Sequence, residues 1–244
     1  MCYDFIFIGA HPDDIILMCS GMIASITNKG FNSLIVSLTD GSYKNTKKAE
    51  IRKKELEASA RILGVDYQIL GLQDTELRED MGSTQKAFEI IDTYQPTFVV
   101  THHEKDLHPD HVNGNRIVKR AVHQYFVRGC ANRKKLKGIL YFPPVRITNN
   151  NYNSFSTNFI VNISRYINIK RKVIKQHQSQ FPHILRHMEI IISLNRLLGS
   201  INGVEFVEGF FYENFMPMKF AFNEICELKD GDLDYYSRRG IEEI

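Results

Sequence analysis

The sequence predicts an α/β fold built around a mostly parallel sheet. Short apolar segments alternate with longer segments of helical periodicity from the N-terminus to about residue 121, which is typical of β-α-β units. Two segments rich in histidine and aspartate each follow directly after one of the apolar segments. In open parallel sheets that position is the carboxyl edge, where ligands bind. The 244 residues suit one domain with one buried core.

The first half of the chain predicts four strands that alternate with four helices. Pro12 marks the start of the first helix and Gly30 its end. Gly64 ends the second helix, as a glycine commonly does, and Pro96 closes the third. The predicted strands are Tyr3–Ala10, Asn32–Thr39, Asp66–Leu70 and Thr97–Thr101, and the predicted helices are Asp13–Asn28, Lys47–Leu63, Thr84–Tyr94 and Val112–Phe126.

The second half has a weaker pattern. The predicted elements are strands Gly138–Phe142 and Asn158–Ile163, helices Lys170–Gln178 and Ile184–Leu198, and a loop at Asn149–Asn153. The aromatic stretch Phe206–Phe222 is interpreted as core, with a sugar-stacking wall or a subunit contact as the alternatives. The tail from Asp230 onward is expected to be exposed and mobile.

The composition is that of an ordinary globular protein, with 43% hydrophobic and 24% charged residues. A net charge of +3 is too small to indicate nucleic-acid binding. Three basic clusters are expected to be solvated helix faces, with contact to a substrate phosphate as the alternative. They are Lys44–Lys54, Arg133–Lys137 and Lys170–Lys172.

Cysteine usage and the N-terminus indicate the compartment. The four cysteines form no C-x-x-C pair and are too sparse for a disulfide scaffold, which favours a reducing environment. The first residues lack a basic region and are interrupted by Asp4, so they do not predict a secretory signal. No apolar run approaches the roughly 20 residues that span a bilayer. We therefore expect a cytoplasmic protein without an integral membrane segment.

The first candidate site is the run Gly9-Ala10-His11-Pro12-Asp13-Asp14, at the end of the first predicted strand. A histidine followed by two carboxylates is poorly suited to core packing, because charged groups leave water only when they are paired or bound to a metal. The alternative is a helix N-cap in which Asp13 or Asp14 accepts backbone N–H bonds.

The second candidate site is Asp106-Leu107-His108-Pro109-Asp110-His111, which follows the apolar run Phe98-Val99-Val100. Both sites are expected at the same edge of the sheet. Imidazole and carboxylate are ligands that zinc takes in catalytic centres, where three protein ligands leave one position open. The alternative is that these histidines only cap the following helix.

Taken together, the two runs resemble the PIG-L/LmbE-like family of zinc N-deacetylases. That family pairs an A-H-P-D-D motif after its first strand with a later H-P-D-H motif, and both are present letter for letter. The resemblance extends over roughly residues 3 to 215, and it implies a Rossmann-like three-layer sandwich. Further agreement lies at Leu38–Gly41, Glu50–Arg52, Leu63–Gly64 and His177–Gln180.

The resemblance implies a role for each motif residue. His11, Asp14 and His111 would bind Zn²⁺, or another divalent transition metal. Asp13 would be the general base, and His108 would stabilise the negative charge that develops on the scissile carbonyl oxygen. The outer carboxylates that orient the histidines would be Asp106 and Asp110. His102 and His103 are assigned no metal role, because three ligands complete the expected set.

The resemblance also implies substrate residues. Arg52 would lie beside the loop of Thr39 and Gly41 and bind a hydroxyl or phosphate, with a surface ion pair to Glu50 or Glu55 as the alternative. His177 and Gln180 would help to close the site, with exposed polar positions on a helix as the alternative.

The chain departs from the family pattern at residues 15–21, which read Ile-Ile-Leu-Met-Cys-Ser-Gly. Many members have an acidic residue within the first two of these positions and a glycine-rich turn after it. The ligand set is unaffected, but the polar support beneath the first motif is then unaccounted for.

The predicted function is a zinc-dependent hydrolase that removes the N-acetyl group from an N-acetylglucosamine-type sugar or its conjugate. Alternatives are a zinc hydrolase of another amide or ester and a non-catalytic sugar-binding relative. We expect a single deacetylase domain over 1–244. Its sheet core and metal motifs would occupy about 1–127, substrate-side elements about 128–225, and the tail 226–244. The expected partner is a small amino-sugar conjugate rather than nucleic acid, and a homo-oligomer is left open.

Overall fold

The computed structural model describes residues 2–128, 136–144 and 157–214, which form a seven-stranded sheet flanked by helices. The strands are β1 (Phe5–Gly9), β2 (Ser33–Thr39), β3 (Asp66–Leu72), β4 (Phe98–His102), β5 (Gly138–Phe142), β6 (Phe159–Asn162) and β7 (Val207–Asn214). The helices are α1 (Asp14–Asn28), α2 (Thr46–Leu63), α3 (Met81–Tyr94), α4 (Pro109–Val127), α5 (Ile167–Ile174) and α6 (His183–Ile201).

The strand order is β3-β2-β1-β4-β5-β7-β6, and β1 to β5 are all parallel. β1 pairs with β2 on one side, at Phe5 and Ser33, and with β4 on the other, at Phe5 and Phe98. The chain therefore reverses its winding direction between β1 and β4, which opens a crevice at the carboxyl ends of these two strands. Both candidate motifs follow those two strands.

Apolar layers cover both faces of the sheet. Along β1, Phe5 and Phe7 face a layer that contains α1, α2, α5 and α6, whereas Ile6 and Ile8 face α3 and α4. This alternation is the two-residue period of a strand that is buried on both faces. The predicted three-layer α/β sandwich with a mostly parallel sheet is confirmed.

Two helices begin earlier than the sequence pattern predicted, because side chains cap them. α3 starts at Met81 rather than Thr84, since the Asp80 carboxylate accepts the Ser83 N–H at 2.7 Å. α4 starts at Pro109 rather than Val112, since His108 Nδ1 accepts the Asp110 N–H at 3.2 Å. The H-P-D-H motif therefore opens the helix instead of preceding it.

The second half differs more from prediction. α5 covers Ile167–Ile174 instead of Lys170–Gln178. β7 was not predicted as a strand, although its aromatic stretch was correctly interpreted as core at Phe206 and Phe210, which are 4% and 0% exposed. β7 follows α6 but runs antiparallel between β5 and β6, so the parallel β-α-β pattern of the first half does not predict its place.

The expectation of a solvated face is wrong at Lys170, which is fully buried with Nζ 2.5 Å from Glu208 Oε1. Several expectations concern residues outside the described ones. These are the loop Asn149–Asn153, the cluster residues Arg133, Lys134 and Lys135, the cysteines Cys130 and Cys226, the aromatics Phe215, Phe220 and Phe222, and the tail from Asp230. Among the described helices, none combines the length and apolar character that a bilayer span requires.

Candidate metal centre

The turn after β1 presents His11 and Asp14 at the centre of the crevice. The Ala10 carbonyl accepts hydrogen bonds from both the backbone N–H and the hydroxyl of Thr39, each at 2.9 Å, which fixes this turn to the end of β2. Asp14 is the first residue of α1, and its Oδ2 accepts the His11 N–H at 2.7 Å. Both side chains are at least nine-tenths buried.

The turn after β4 presents His111 from the opposite side of the crevice. The Asp106 carboxylate accepts the His108 N–H at 2.9 Å through Oδ1, and it contacts His111 Nδ1 at 2.9 Å through Oδ2. With Nδ1 held in this way, His111 Nε2 lies 3.3 Å from Asp14 Oδ1. Asp106 thus orients His111 as an outer carboxylate orients a metal-binding histidine.

The donor atoms of His11, Asp14 and His111 lie within 4.8 Å of one another. The outer nitrogen of His11, Nε2, contacts Asp74 and Asp110, each at 3.2 Å, so Nδ1 is the nitrogen turned toward Asp14. Two imidazoles and one carboxylate, each supported from behind, match the donor set of a catalytic zinc centre. The residues present therefore fit a divalent ion.

Two overlapping groups could also approach a metal, namely His11 with His108 and Asp110, and His102 with Asp106 and His111. Both oxygens of each of their carboxylates are already engaged, whereas Asp14 accepts a backbone N–H through Oδ2 and turns Oδ1 toward His111. Asp110 accepts the N–H groups of Thr75 at 2.8 Å and Leu77 at 3.3 Å, and Asp106 accepts that of His108. The group centred on Asp14 is therefore the better candidate.

The charges of the centre depend on one another. Burial opposes the charged form of His11, but the carboxylates of Asp14, Asp110 and Asp74 raise its pKa well above the ordinary value. Burial likewise opposes ionisation of Asp14, but His111, His102 and His11 hold its pKa well below the ordinary range. The centre thus favours an ionised Asp14 carboxylate surrounded by positive charge. A bound cation would supply the same positive charge.

Asp74 is a contact of this centre that the sequence did not single out. It follows β3 and is buried, with Oδ1 3.2 Å from His11 Nε2 and with Oδ2 accepting the Tyr43 N–H at 2.9 Å. Burial opposes its ionisation, but the His11 contact and the Tyr43 bond lower its pKa. Its position at the carboxyl end of a parallel strand was the one available signal.

His102 also contacts the centre, although the sequence assigned it no role there. It is the last residue of β4 and has no exposed surface. Its Nε2 lies 3.1 Å from Asp14 Oδ2 and accepts the Ala10 N–H at 2.9 Å. Burial and the neighbouring His111 lower its pKa to about 4, so the ring is neutral at pH 7.

Arg52 lies in the crevice, so the alternative of a surface ion pair is wrong. It is 8% exposed, and its Nε has no hydrogen-bond partner among the described residues. Gly41 has a φ of +65°, and a Cβ there would collide with Arg52 Nη1. Glu55 instead accepts the N–H and hydroxyl of Ser179, at 2.6 and 2.7 Å. A glycine at position 41 therefore lets the guanidinium approach the backbone.

His177 and Gln180 lie in the segment between α5 and α6, where His177 precedes and Gln180 ends a short 3₁₀ helix, Gln178–Gln180. His177 is 1% exposed and its Nε2 is 3.2 Å from the Ser59 hydroxyl. Burial lowers its pKa, and Asp13 is the first of the charges that oppose this shift, which places His177 near Asp13. Gln180 Nε2 is buried without a partner in the described residues.

The family model described as "PIG-L: GlcNAc-PI de-N-acetylase" matches residues 6–122, which include both motifs. The chain is 27% identical to the diacetylchitobiose deacetylase of Thermococcus kodakarensis over 213 residues, covering 82% of this chain and 79% of the relative. Over residues 6–122 the chain is similar to the PIG-L family. These similarities confirm the resemblance found in the sequence and the enzyme class, a hydrolytic N-deacetylase.

Solved structures are similar to this chain over most of its length. The conserved protein TT1542 of Thermus thermophilus has a TM-score of 0.77 at 27% identity, covering 88% of this chain and 95% of that one. The N,N'-diacetylchitobiose deacetylase of Pyrococcus horikoshii has a TM-score of 0.74 at 26% identity, with coverages of 86% and 83%. A different activity also occurs among relatives, since the 4-oxalmesaconate hydratase of Pseudomonas putida is 28% identical over 111 residues, covering 41% of this chain and 43% of the relative.

Proposed function

We propose that the chain removes the acetyl group from an N-acetylglucosamine-type sugar or its conjugate, giving acetate and a free amine. The observation that carries this proposal is the convergence of His11, Asp14 and His111 in one buried cluster, with His108 beside it and Asp13 next to Asp14 in the chain. Relatives that act on diacetylchitobiose support the substrate class. The identity of the ion as Zn²⁺, the cytoplasmic location and self-association remain predictions from the sequence.

His11, Asp14 and His111 would hold the ion. When bound, a divalent ion there would polarise the acetyl carbonyl and make water a better nucleophile near neutral pH. The hydrogen bonds from Asp106 to His111 and from Asp110 to His11 hold the two rings in the orientation that this requires.

Asp13 is the proposed general base. It precedes the ligand Asp14, it is partly exposed whereas Asp14 is buried, and it belongs to none of the metal-type clusters of the described residues. A carboxylate in this position can take a proton from the attacking water and deliver it to the amine nitrogen as the C–N bond breaks. Burial lowers the pKa of the nearby imidazole of His177, which makes it a weaker base for that proton.

His108 is the proposed donor to the carbonyl oxygen. Its Nδ1 accepts the Asp110 N–H, which leaves the ring proton on Nε2. Its ring centroid is 4.4 Å from that of His111 and 5.0 Å from that of His11. Burial and the positive charges of His111 and His11 lower its pKa. A neutral N–H donor, rather than the cation expected from the resemblance, therefore suits the charge that develops on the oxygen.

Arg52, Thr39 and Gly41 are proposed to bind the remainder of the substrate. The Arg52 guanidinium lies against the Gly41 backbone and carries an unpartnered N–H among the described residues, so it can receive a hydroxyl or phosphate of the conjugate. Gln180 Nε2 is a second such donor, and together with His177 it is proposed to close the site.

The hydratase among the relatives supports a second candidate, the addition of water to an unsaturated organic acid. Both reactions use a base and an activated water, so the cluster alone does not separate them. Incubation with diacetylchitobiose, N-acetylglucosamine and an unsaturated dicarboxylate distinguishes them. Acetate release from the sugars supports the deacetylase, whereas consumption of the acid without acetate release supports the hydratase.

Substitution Asp13→Asn tests the mechanism. We expect kcat/KM for acetate release to fall by about 10²–10⁴-fold, because the base is lost while the metal ligands stay. Bound metal, measured by elemental analysis, should match the wild type. Glu50→Gln, an exposed position on α2, is the matched control and should retain full activity. Unchanged turnover in Asp13→Asn, or full turnover after chelation of the metal, would overturn the mechanism.

A further inference from the structure

His102 occupies a closed position behind the candidate ligands. Its ring has no exposed surface and lies between His111, at a centroid distance of 4.1 Å, and Phe142, at 4.6 Å. The backbone is held as well, since Asn115 Nδ2 donates to the His102 carbonyl at 2.7 Å. Because no part of the ring reaches solvent, it cannot touch a substrate.

From this position the ring contacts two of the ligands and the residue that precedes the third. It stacks on His111 with an interplanar angle of 22°. Its Nε2 lies 3.1 Å from the Asp14 carboxylate. The same nitrogen accepts the N–H of Ala10, the residue that precedes His11. The two motifs are thus joined through one side chain that belongs to neither.

We propose that His102 is a positioning residue that preorganises His11, Asp14 and His111 for the metal ion. This inference rests on the proposed function and adds a determinant of its metal affinity. Ligands held in place before the ion arrives lose less freedom on binding, and outer contacts of this kind typically change metal affinity about 10–100-fold. The neighbouring His103 has a different environment, since it packs against Tyr141 and Phe211.

Two substitutions separate the two contacts of the ring. His102→Phe keeps an aromatic ring between His111 and Phe142 but removes the nitrogen. His102→Gln keeps an acceptor for the Ala10 N–H but removes the stacking. Zn²⁺ affinity is measured by competition with a chromogenic chelator, and ligand geometry by the visible absorption spectrum of the Co²⁺-substituted protein.

We expect about 10–100-fold weaker Zn²⁺ binding and an altered Co²⁺ spectrum in His102→Phe, with partial recovery of both in His102→Gln. His103→Gln is the matched control and should leave affinity and spectrum unchanged. Wild-type affinity and an unaltered spectrum in both His102 variants would overturn the positioning role while leaving the proposed function intact. If the wild type itself bound no divalent ion, the proposed function would fail first.

A measurement on the wild type covers the case in which the variants do not fold. Nitrogen NMR of the histidine rings, with and without Zn²⁺, should show His11 and His111 shifting as ligands do. His102 Nε2 should stay uncoordinated. A coordination shift at His102 would make it a ligand and overturn its assignment as a positioning residue.

Discussion

Helix α1 contacts two buried clusters of charge that are built differently. At its first turn, Asp14 is surrounded by the imidazoles of His11, His102 and His111. Two turns later, Glu208 meets the ammonium group of Lys170 at 2.5 Å and accepts the N–H groups of Gly21 and Met22, at 2.9 and 2.7 Å. Each cluster places a carboxylate against the same helix.

The difference lies in what neutralises the carboxylate. Lys170 supplies an ammonium group, and the backbone fills the remaining positions around Glu208, so that cluster is complete within the chain. Around Asp14 the partners are imidazoles, which change charge or coordinate a metal. Buried charge is unfavourable unless it is compensated. The cluster around Asp14 therefore suits a bound cation, whereas the cluster around Glu208 has a structural role.

The second cluster supplies polar contacts to the part of α1 that departs from the family pattern. Residues 15–20 are buried and mostly apolar, as the departure from the family pattern suggested. The polar contacts come instead from Lys170 on α5 and Glu208 on β7. A Cβ at Gly21 would lie 2.7 Å from Glu208 Oε1, so this position requires glycine.

The largest expected effect comes from breaking the Lys170 pair. Lys170→Met should lower the free energy of unfolding by about 3–5 kcal/mol, because it leaves the Glu208 carboxylate buried and uncompensated. Urea titration followed by circular dichroism measures this. The exposed neighbour Lys172→Met is the control and should change stability by less than about 0.5 kcal/mol.

The double variant Lys170→Met/Glu208→Leu sharpens the result. It removes both charges, so most of the lost stability should return, apart from the hydrogen bonds that Glu208 accepts from the α1 backbone. A double variant no more stable than Lys170→Met would mean that the charge pair is not the source of the loss. Metal affinity should be unaffected in the folded fraction, since the pair does not contact the ligands.

The sequence was sufficient to predict the structural features that depend on the local residue pattern. Strand Gly138–Phe142 was predicted residue for residue, and both motifs were placed at the ends of the correct strands. Parallel strands with helical connections carry this information, because apolar runs and helix ends alternate regularly. The two motifs could then be assigned to one crevice, since parallel strands end at the same edge.

What the sequence could not predict depends on contacts between distant segments. Asp74 is one aspartate among many polar loop residues until the fold brings it 3.2 Å from His11. Lys170 belongs to a basic run and resembles a solvated face until Glu208, 38 positions later, is placed against it. β7 follows a helix, but its antiparallel insertion between β5 and β6 departs from the parallel β-α-β order that the sequence pattern predicts.

An intermediate effect, on Zn²⁺ affinity, is expected when the contact that supports His11 in the cluster around Asp14 is weakened. Asp74→Asn should reduce Zn²⁺ affinity by about 10–100-fold, because His11 loses a charged contact behind its outer nitrogen while the three ligands remain. Chelator competition measures the affinity. Asp80→Asn is the control, since asparagine also caps a helix, and it should bind Zn²⁺ like the wild type. Equal affinity in Asp74→Asn would remove Asp74 from the support of the centre.

The smallest effect is expected at Cys19, which lies between the two clusters on α1. Its side chain is fully buried, and burial, together with the charge of Glu208, raises the pKa of its thiol well above the ordinary value. Cys19→Ala removes one neutral, packed atom and should cost about 1 kcal/mol of unfolding free energy, by urea titration.

The Cys19 substitution also measures whether the two clusters are independent. If they are, its cost should add to that of Lys170→Met within about 0.5 kcal/mol, and the Zn²⁺ affinity should be the same with and without it. A larger deviation from additivity, or a change in metal affinity, would show that α1 transmits strain between them. In that case the buried charges around Asp14 and those around Glu208 could not be treated as independent clusters.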